Sequence, residues 1–138
     1  MSPDFNFDRT KARQALALGE LERSVIDALW DSGELSGKEI FDLLGERHNV
    51  QHNTLLTVLD RLINKGLVIK EKDGRSNTYK ARLSRDEFAE FVSAPIIEEL
   101  FDVSSHVAMS ALVDNVSADP EKLAELKKLI EDAEKRRK

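Results

Sequence analysis

Residues 51–82 read QHNTLLTVLDRLINKGLVIKEKDGRSNTYKAR, and within them the apolar period changes from helical to strand-like. Leu55, Leu59 and Leu62 fall on one helical face, with Val58 and Ile63 beside them. The spacing predicts a helix capped by Gln51 or Asn53, running to about Lys65 and stopped by Gly66. Thr54, Thr57, Arg61 and Asn64 are three, four and three residues apart, so they share the opposite, hydrophilic face. Leu67 to Lys72 is then rich in β-branched residues, and Asp73-Gly74 is a hairpin signal because both positions tolerate positive φ. Arg75 to Arg82 returns as a second strand containing Thr78 and Tyr79, with Tyr79 expected in the packing of the ribbon.

Two shorter helices precede this stretch. Leu21, Val25, Ala28 and Leu29 make one face of a helix from about Gly19 to Asp31, widened by Leu18, Ile26 and Trp30. Ser36 and Glu39 have capping-box spacing for a second helix, whose expected buried side is Ile40, Phe41, Leu43 and Leu44. Three helices followed by a two-stranded ribbon with a basic tip is the element order of a winged helix-turn-helix. Residues 1–17 show no clear period; Arg9, Lys11 and Arg13 mark them as an N-terminal arm, either mobile or touching a phosphate or groove.

After Arg82 the chain becomes helical again. Ser84 and Glu87 suggest another capping box, and Pro95 is expected to kink the helix or start a new one. A further helix is expected from Ser104 or Ser105, and Asp119-Pro120 opens the last one. Phe88, Phe91, Ile97, Leu100, Phe101, Leu112, Leu126 and Ile130 give this region more apolar surface than a lone chain would leave in water. They are the candidate dimerisation residues. The organisation read from sequence is therefore an arm over 1–17, a winged-helix domain over 18–83 and a helical dimerisation region over 84–138. The class is mainly α with a small β-hairpin wing. Truncation near Arg82 is expected to leave a folded head.

The 138 residues carry a net charge of −5, which is misleading until it is located. Residues 1–83 sum to zero and residues 84–138 hold the whole acidic excess, while residues 47–82 carry a balance of +5. A basic middle beside an acidic tail suits a partner of nucleic acid. Cysteine is absent, which excludes disulfides and thiolate metal sites and fits a cytoplasmic location. No window approaches a membrane span. His48, His52 and His106 are scattered, His48 and His52 belong to an expected loop entry, and no catalytic or cofactor fingerprint is present. The chain thus reads as a non-enzyme without cofactor or metal.

Specific residues add a resemblance. Leu18-Gly19-Glu20-Leu21-Glu22, Ala28-Leu29-Trp30, Asn53 through Leu62, Lys65-Gly66-Leu67-Val68, and Gly74-Arg75 with Tyr79 resemble the penicillinase-repressor family (BlaI/MecI/CopY type) of bacterial regulators. The resemblance implies a homodimeric repressor that binds a pseudo-palindromic operator through winged-helix heads joined by C-terminal helices. It also implies an inducing signal, through a regulatory protease or a small molecule. Two family devices have no counterpart here. The copper-thiolate mechanism needs cysteine, and the scissile Asn-Phe pair of the β-lactam repressors is replaced in the tail by Ala108-Met109-Ser110-Ala111.

The candidate DNA-binding residues are Gln51, His52, Asn53, Thr54, Thr57 and Arg61 on the third helix, with Lys72 and Arg75 in the wing. Gln51 and Asn53 suit adenine edges, the threonines a thymine methyl or a phosphate, and Arg61 a phosphate. Two alternatives remain at this point: an effector-responsive regulator with a small-molecule site, and a winged-helix module that docks proteins. A protein-docking version would carry apolar residues on the outer face of the third helix.

Overall fold

The computed structural model describes residues 9–137 and divides into two units, Met1–Ile96 and Ile97–Lys138. The first unit contains α1 (Arg9–Leu16), α2 (Glu20–Ser32), β1 (Glu34–Ser36), α3 (Gly37–Leu44), α4 (His52–Asn64), β2 (Val68–Asp73) and β3 (Ser76–Ala81). It also contains the first turns of α5 (Arg85–Ser117). Its sheet is antiparallel, in the order β1-β3-β2. This is a winged helix-turn-helix, with α3 and α4 as the helix-turn-helix pair and β2–β3 as the wing.

Burial of one face of every helix organises this head. Val25, Ile26 and Leu29 of α2, Ile40 and Leu44 of α3, and Leu55, Val58, Leu59 and Leu62 of α4 close on Val68 and Tyr79 of the wing. Each such side chain contributes roughly 1.5–3 kcal/mol by leaving water. No polar or charged residue is buried among those described. Leu43, expected inside, is 48% exposed; with Ile40 and Leu44 already filling the inner side of a two-turn helix, it falls beyond the contact stripe.

The local signals are met where capping chemistry sets them. Ser36 Oγ accepts from the Glu39 N–H at 3.1 Å, and Glu39 Oε1 accepts from the Ser36 N–H at 2.8 Å. Ser84 and Glu87 repeat the arrangement at the start of α5, at 3.1 and 2.9 Å. Gly45 follows α3 because a Cβ there would lie 2.7 Å from both the Phe41 ring and its carbonyl oxygen. The close approach of the helix-turn-helix corner therefore demands glycine.

Four expectations change. Residues 9–16 form a helix in place of an arm, because Ala12 and Ala15 are small enough to seat it against the core, at 0% and 3% exposure. Pro3, Phe5 and Phe7 lie outside the described residues. The sheet has a third strand besides the wing: β1 pairs with β3 through Leu35↔Tyr79, a single buried alternation too short to show in sequence. The hairpin closes at Asp73↔Ser76, so its two-residue tip is Gly74-Arg75 and only Gly74 has positive φ, at 64°. Helix α5 runs through Pro95 at the loss of one backbone bond, and breaks at Ser104, where a further helix is expected to begin (φ −163°, ψ 106°). There Ser104 Oγ accepts from the Val107 N–H at 3.3 Å and caps the next segment.

The boundary expected at 83/84 also moves. Leu83, Phe88, Phe91 and Val92 are all buried in the core of the first unit. Trp30 explains why: its Nε1 donates to the Leu83 carbonyl at 2.9 Å, and its ring meets Phe88 edge-on with centroids 5.2 Å apart. The Arg85 guanidinium lies 5.3 Å from the centre of the same indole and pairs with Asp31 at 3.1 Å. Phe88 and Phe91 therefore spend their apolar surface within the core of the first unit.

The second unit comprises the rest of α5 and α6 (Pro120–Arg137). Asp119 Oδ1 accepts from the Glu121 N–H at 3.0 Å, which caps α6 as expected. No residue of α6 is buried.

A chain ending after Ile96 should fold as a head, whereas one ending after Arg82 should not. Losing Phe88, Phe91 and Val92 together removes more than about 5 kcal/mol, on the order of a whole domain's stability. Urea unfolding of the two fragments checks this; equal stability would refute the shifted boundary. The two capping boxes carry a pH signature. The serine N–H, and after it the serine hydroxyl, pulls the Glu39 and Glu87 carboxyls below their ordinary value of 4.5. That stabilisation is complete above the ordinary value and is lost as pH falls through the lower folded one. Glu39→Gln combined with Glu87→Gln should flatten the stability curve below about pH 5.

Candidate nucleic-acid interface

Helix α4 presents its candidates because of where its leucines go. Leu55, Val58, Leu59 and Leu62 face inward, so Gln51, His52, Asn53, Thr54, Thr57 and Arg61 are all exposed. Gln51 is the N-cap residue but makes no side-chain cap, and the first turn holds no acidic residue. The positive end of the helix is thus left open to an anion. Asn53 lies inside the helix, not at its cap. Thr57 Oγ1 donates to the Asn53 carbonyl at 3.0 Å, which uses its one proton and leaves its methyl and lone pairs outward. The His52 ring rests edge-on against Phe41, with centroids 5.4 Å apart, so it is held although exposed.

Strand register sorts the charges of the wing. Side chains of Val68, Lys70 and Lys72 share one face of β2, and across from them on β3 stand Ala81, Tyr79 and Asn77. At its base that face is the core: Val68, Tyr79 and Leu35 are buried, and the Tyr79 ring lies beside Gly37. Burial, and after it the charge of Asp60, pushes the Tyr79 phenol above its usual range, so it stays neutral. Beyond the core the same face continues into Lys70, Lys72 and Asn77, all exposed. Glu71, Thr78, Lys80 and Glu34 stand on the other face. There Lys80 pairs with Glu71 at 2.7 Å and Thr78 Oγ1 donates to Glu34 Oε1 at 2.5 Å. Arg75 occupies the turn itself, exposed.

Cations along residues 47–82 therefore differ in availability. Lys65 Nζ pairs with Glu22 Oε2 at 2.8 Å, with both side chains mostly shielded, and Glu22 also accepts from the Gly19 N–H. Lys80 is held by Glu71, whose carboxylate raises the lysine pKa. Arg61, Lys70, Lys72 and Arg75 make no ion pair among the described residues. Arg61 lies on the hydrophilic side of α4, Lys70 and Lys72 on β2, and Arg75 in the turn of the wing. Sequence could not separate them from Lys65 and Lys80, since their partners are 43 and 9 residues away.

The apolar candidates of the second unit lie open. Ile97, Leu100, Phe101, Leu112 and Ile130 are 42–53% exposed, and Leu126 is half-buried. Val103, Val107, Met109, Val113 and Leu129, which are not among the candidate dimerisation residues, are exposed as well. Among the described residues there is no group of three or more metal-ligating side chains, and no helix is long and apolar enough to cross a membrane.

Comparison with known proteins gives a consistent set. The model of the penicillinase repressor family matches residues 18–132. The transcriptional regulator BlaI of Mycobacterium tuberculosis is 33% identical over 104 residues, covering 74% of this chain and 75% of that protein. The penicillinase repressor of Bacillus licheniformis is 22% identical over 121 residues, covering 88% and 94%. In fold, the chain is similar to the crystal structure of an ArsR family transcriptional regulator. That likeness has a TM-score of 0.52 and 21% identity, covering 70% of this chain and 90% of that one.

The two cations at the end of α4 should behave differently when removed. Lys65→Ala breaks a shielded pair and should lower stability by about 1–2 kcal/mol, between the values for exposed and buried pairs. Arg61→Ala touches no partner and should stay within about 0.5 kcal/mol of the parent. Chemical denaturation of both variants measures the difference, and equal losses would contradict the assignment.

Proposed function

The chain belongs to the penicillinase repressor family, and we propose that it is a homodimeric transcriptional repressor whose heads read a pseudo-palindromic operator with α4 and the wing. One observation carries this reading: the hydrophilic side of α4 faces solvent, and Lys70, Lys72 and Arg75 of the wing are exposed with no ion pair among the described residues. A face built to dock protein would be apolar there. Instead it offers amides, hydroxyls and a guanidinium, the donors and acceptors that match base edges and phosphates.

Roles follow from geometry. Gln51 and Asn53 stand at the open end of α4, where a recognition helix meets base edges, and suit adenine. Thr54 adds a methyl and a free hydroxyl; Thr57 offers chiefly its methyl, suited to thymine, because its proton is committed. Arg61, two turns in, suits a backbone phosphate. His52 is braced by Phe41 and contacts the duplex through its outer edge. Lys72 and Arg75 reach flanking phosphate or minor groove.

Pairing between copies supplies the second half-site. Exposed Ile97, Leu100, Phe101, Leu112 and Ile130, with half-buried Leu126, form an apolar surface that a second identical tail would cover. Joining two heads raises affinity by making the second contact intramolecular. Phe88 and Phe91 take no part, being consumed in the head.

Selection of bound duplexes from a random pool, at stated salt, should yield two inverted half-sites with centres one or more helical turns apart. Sedimentation should give a dimer at micromolar concentration; a monomer there, or no sequence preference in the pool, would reject the proposal. Arg75→Ala should weaken every duplex alike and lower the salt slope by about one. Asn53→Ala should instead cost about 1–3 kcal/mol and relax preference at one position, with the slope unchanged.

A further inference from the structure

Helix α1 is the part of the head that precedes the span matched by the family model. It ends at Leu16, and the family match begins at residue 18. Its inner side, Ala12 and Ala15, is buried in the core, so the helix is seated and not trailing. Its outer side carries Gln14, and with Ala17 this residue lines an open cleft of about 500 Å3 whose other wall is Arg61, Asn64 and Lys65 of α4 and its cap. Two segments nearly fifty residues apart thus meet at the hydrophilic end of the proposed reading helix.

The chemistry of the cleft fits an anion with several acceptor oxygens. Gln14 and Asn64 supply exposed amides, and Arg61 supplies a guanidinium with no ion pair among the described residues. Lys65 adds positive charge but stays on Glu22. The nearby C-terminal ends of α1 and α4 contribute partial negative charge, worth a few tenths of a kcal/mol to about one. An amide alone would not overcome that. Arg61 is therefore what makes the cleft attractive to an anion, and Gln14 adds direction to it.

We propose that α1 and the end of α4 hold one backbone phosphate of the bound duplex between Gln14 and Arg61, so that α1 extends the DNA-binding surface beyond the family's winged helix. The proposal rests on α4 being the DNA-facing helix. It makes Gln14 a phosphate-contacting residue outside every segment the family match covers. A phosphodiester suits this place better than a free anion, since the cleft is open and continuous with the side of α4 assigned to the duplex.

The test uses the full chain and the duplex selected from the random pool, with single methylphosphonates placed in turn along its backbone. One neutralised position should weaken the parent several-fold. On the unmodified duplex Gln14→Ala should weaken binding roughly threefold to tenfold, as the loss of one hydrogen bond. At the sensitive position it should weaken binding no further. In an Arg61→Ala background the effect of Gln14→Ala should disappear, and Gln14→Lys in the parent should steepen the salt slope by about 0.9. Gln14 is exposed, so thermal melting of these variants should match the parent. If Gln14→Ala binds like the parent while Asn53→Ala and Arg75→Ala are impaired, this phosphate site is wrong and the DNA-reading α4 stands. If the parent itself binds no duplex, both are rejected.

Discussion

Packing of one side of α4 is the constraint from which the rest of the head follows. Leu55, Val58, Leu59 and Leu62 recur at helical spacing, and all four are buried. Rotating the helix to hide Thr54 or Arg61 would bring those leucines into water, at roughly 1.5–3 kcal/mol for each. The orientation of the hydrophilic face is thus set by the core, with no contribution from the polar residues on it. Those residues are free to differ in donors and acceptors, because the hydrophobic effect does the aiming.

Strand register does for the wing what helical period does for α4. A two-residue alternation places Lys70 and Lys72 on the core side and Glu71 on the other, so neighbours of opposite charge end on opposite faces. Closing the hairpin at Asp73↔Ser76 then leaves Arg75 at the tip. The net charge of −5 is consequently a poor guide to the field that a partner meets.

How much of this could be seen in the sequence depends on the range of the cause. Features set within four residues were legible: the Ser36 and Ser84 caps, the leucine face of α4, the exposed side of Thr54 to Arg61, and the break near Ser104. Features set by distant contacts were not. Strand β1 exists because Leu35 finds Tyr79, 44 positions away, and three residues carry no period of their own. Helix α1 is short and polar, held by two alanines whose small size is invisible to a hydrophobic pattern. Phe88 and Phe91 looked like tail residues because their amphipathic helix continues into the tail; only Trp30, donating across 53 positions to Leu83, shows that they belong to the head. The candidate DNA residues are all exposed, as their helical face and turn position lead one to expect. Their ranking needed the structure, since the pairing of Lys65 with Glu22 and the braced ring of His52 are tertiary facts.

The two units obey different physics, and the difference bears on regulation. The head buries Leu55, Leu59, Leu62, Phe88 and Phe91 within one chain. The second unit leaves Ile97, Leu100, Phe101, Val103 and Val107 exposed, and on the proposed pairing it is completed only by a second copy. Operator affinity then contains two terms, one local to α4 and the wing and one that reflects how much of the protein is paired. The second term follows mass action and falls with anything that destabilises the paired tails. An inducing event therefore need not touch a DNA-contacting residue. Loosening the tails would return the molecule to single heads, each still folded and each still able to contact a half-site, but without the bivalency that makes repression tight.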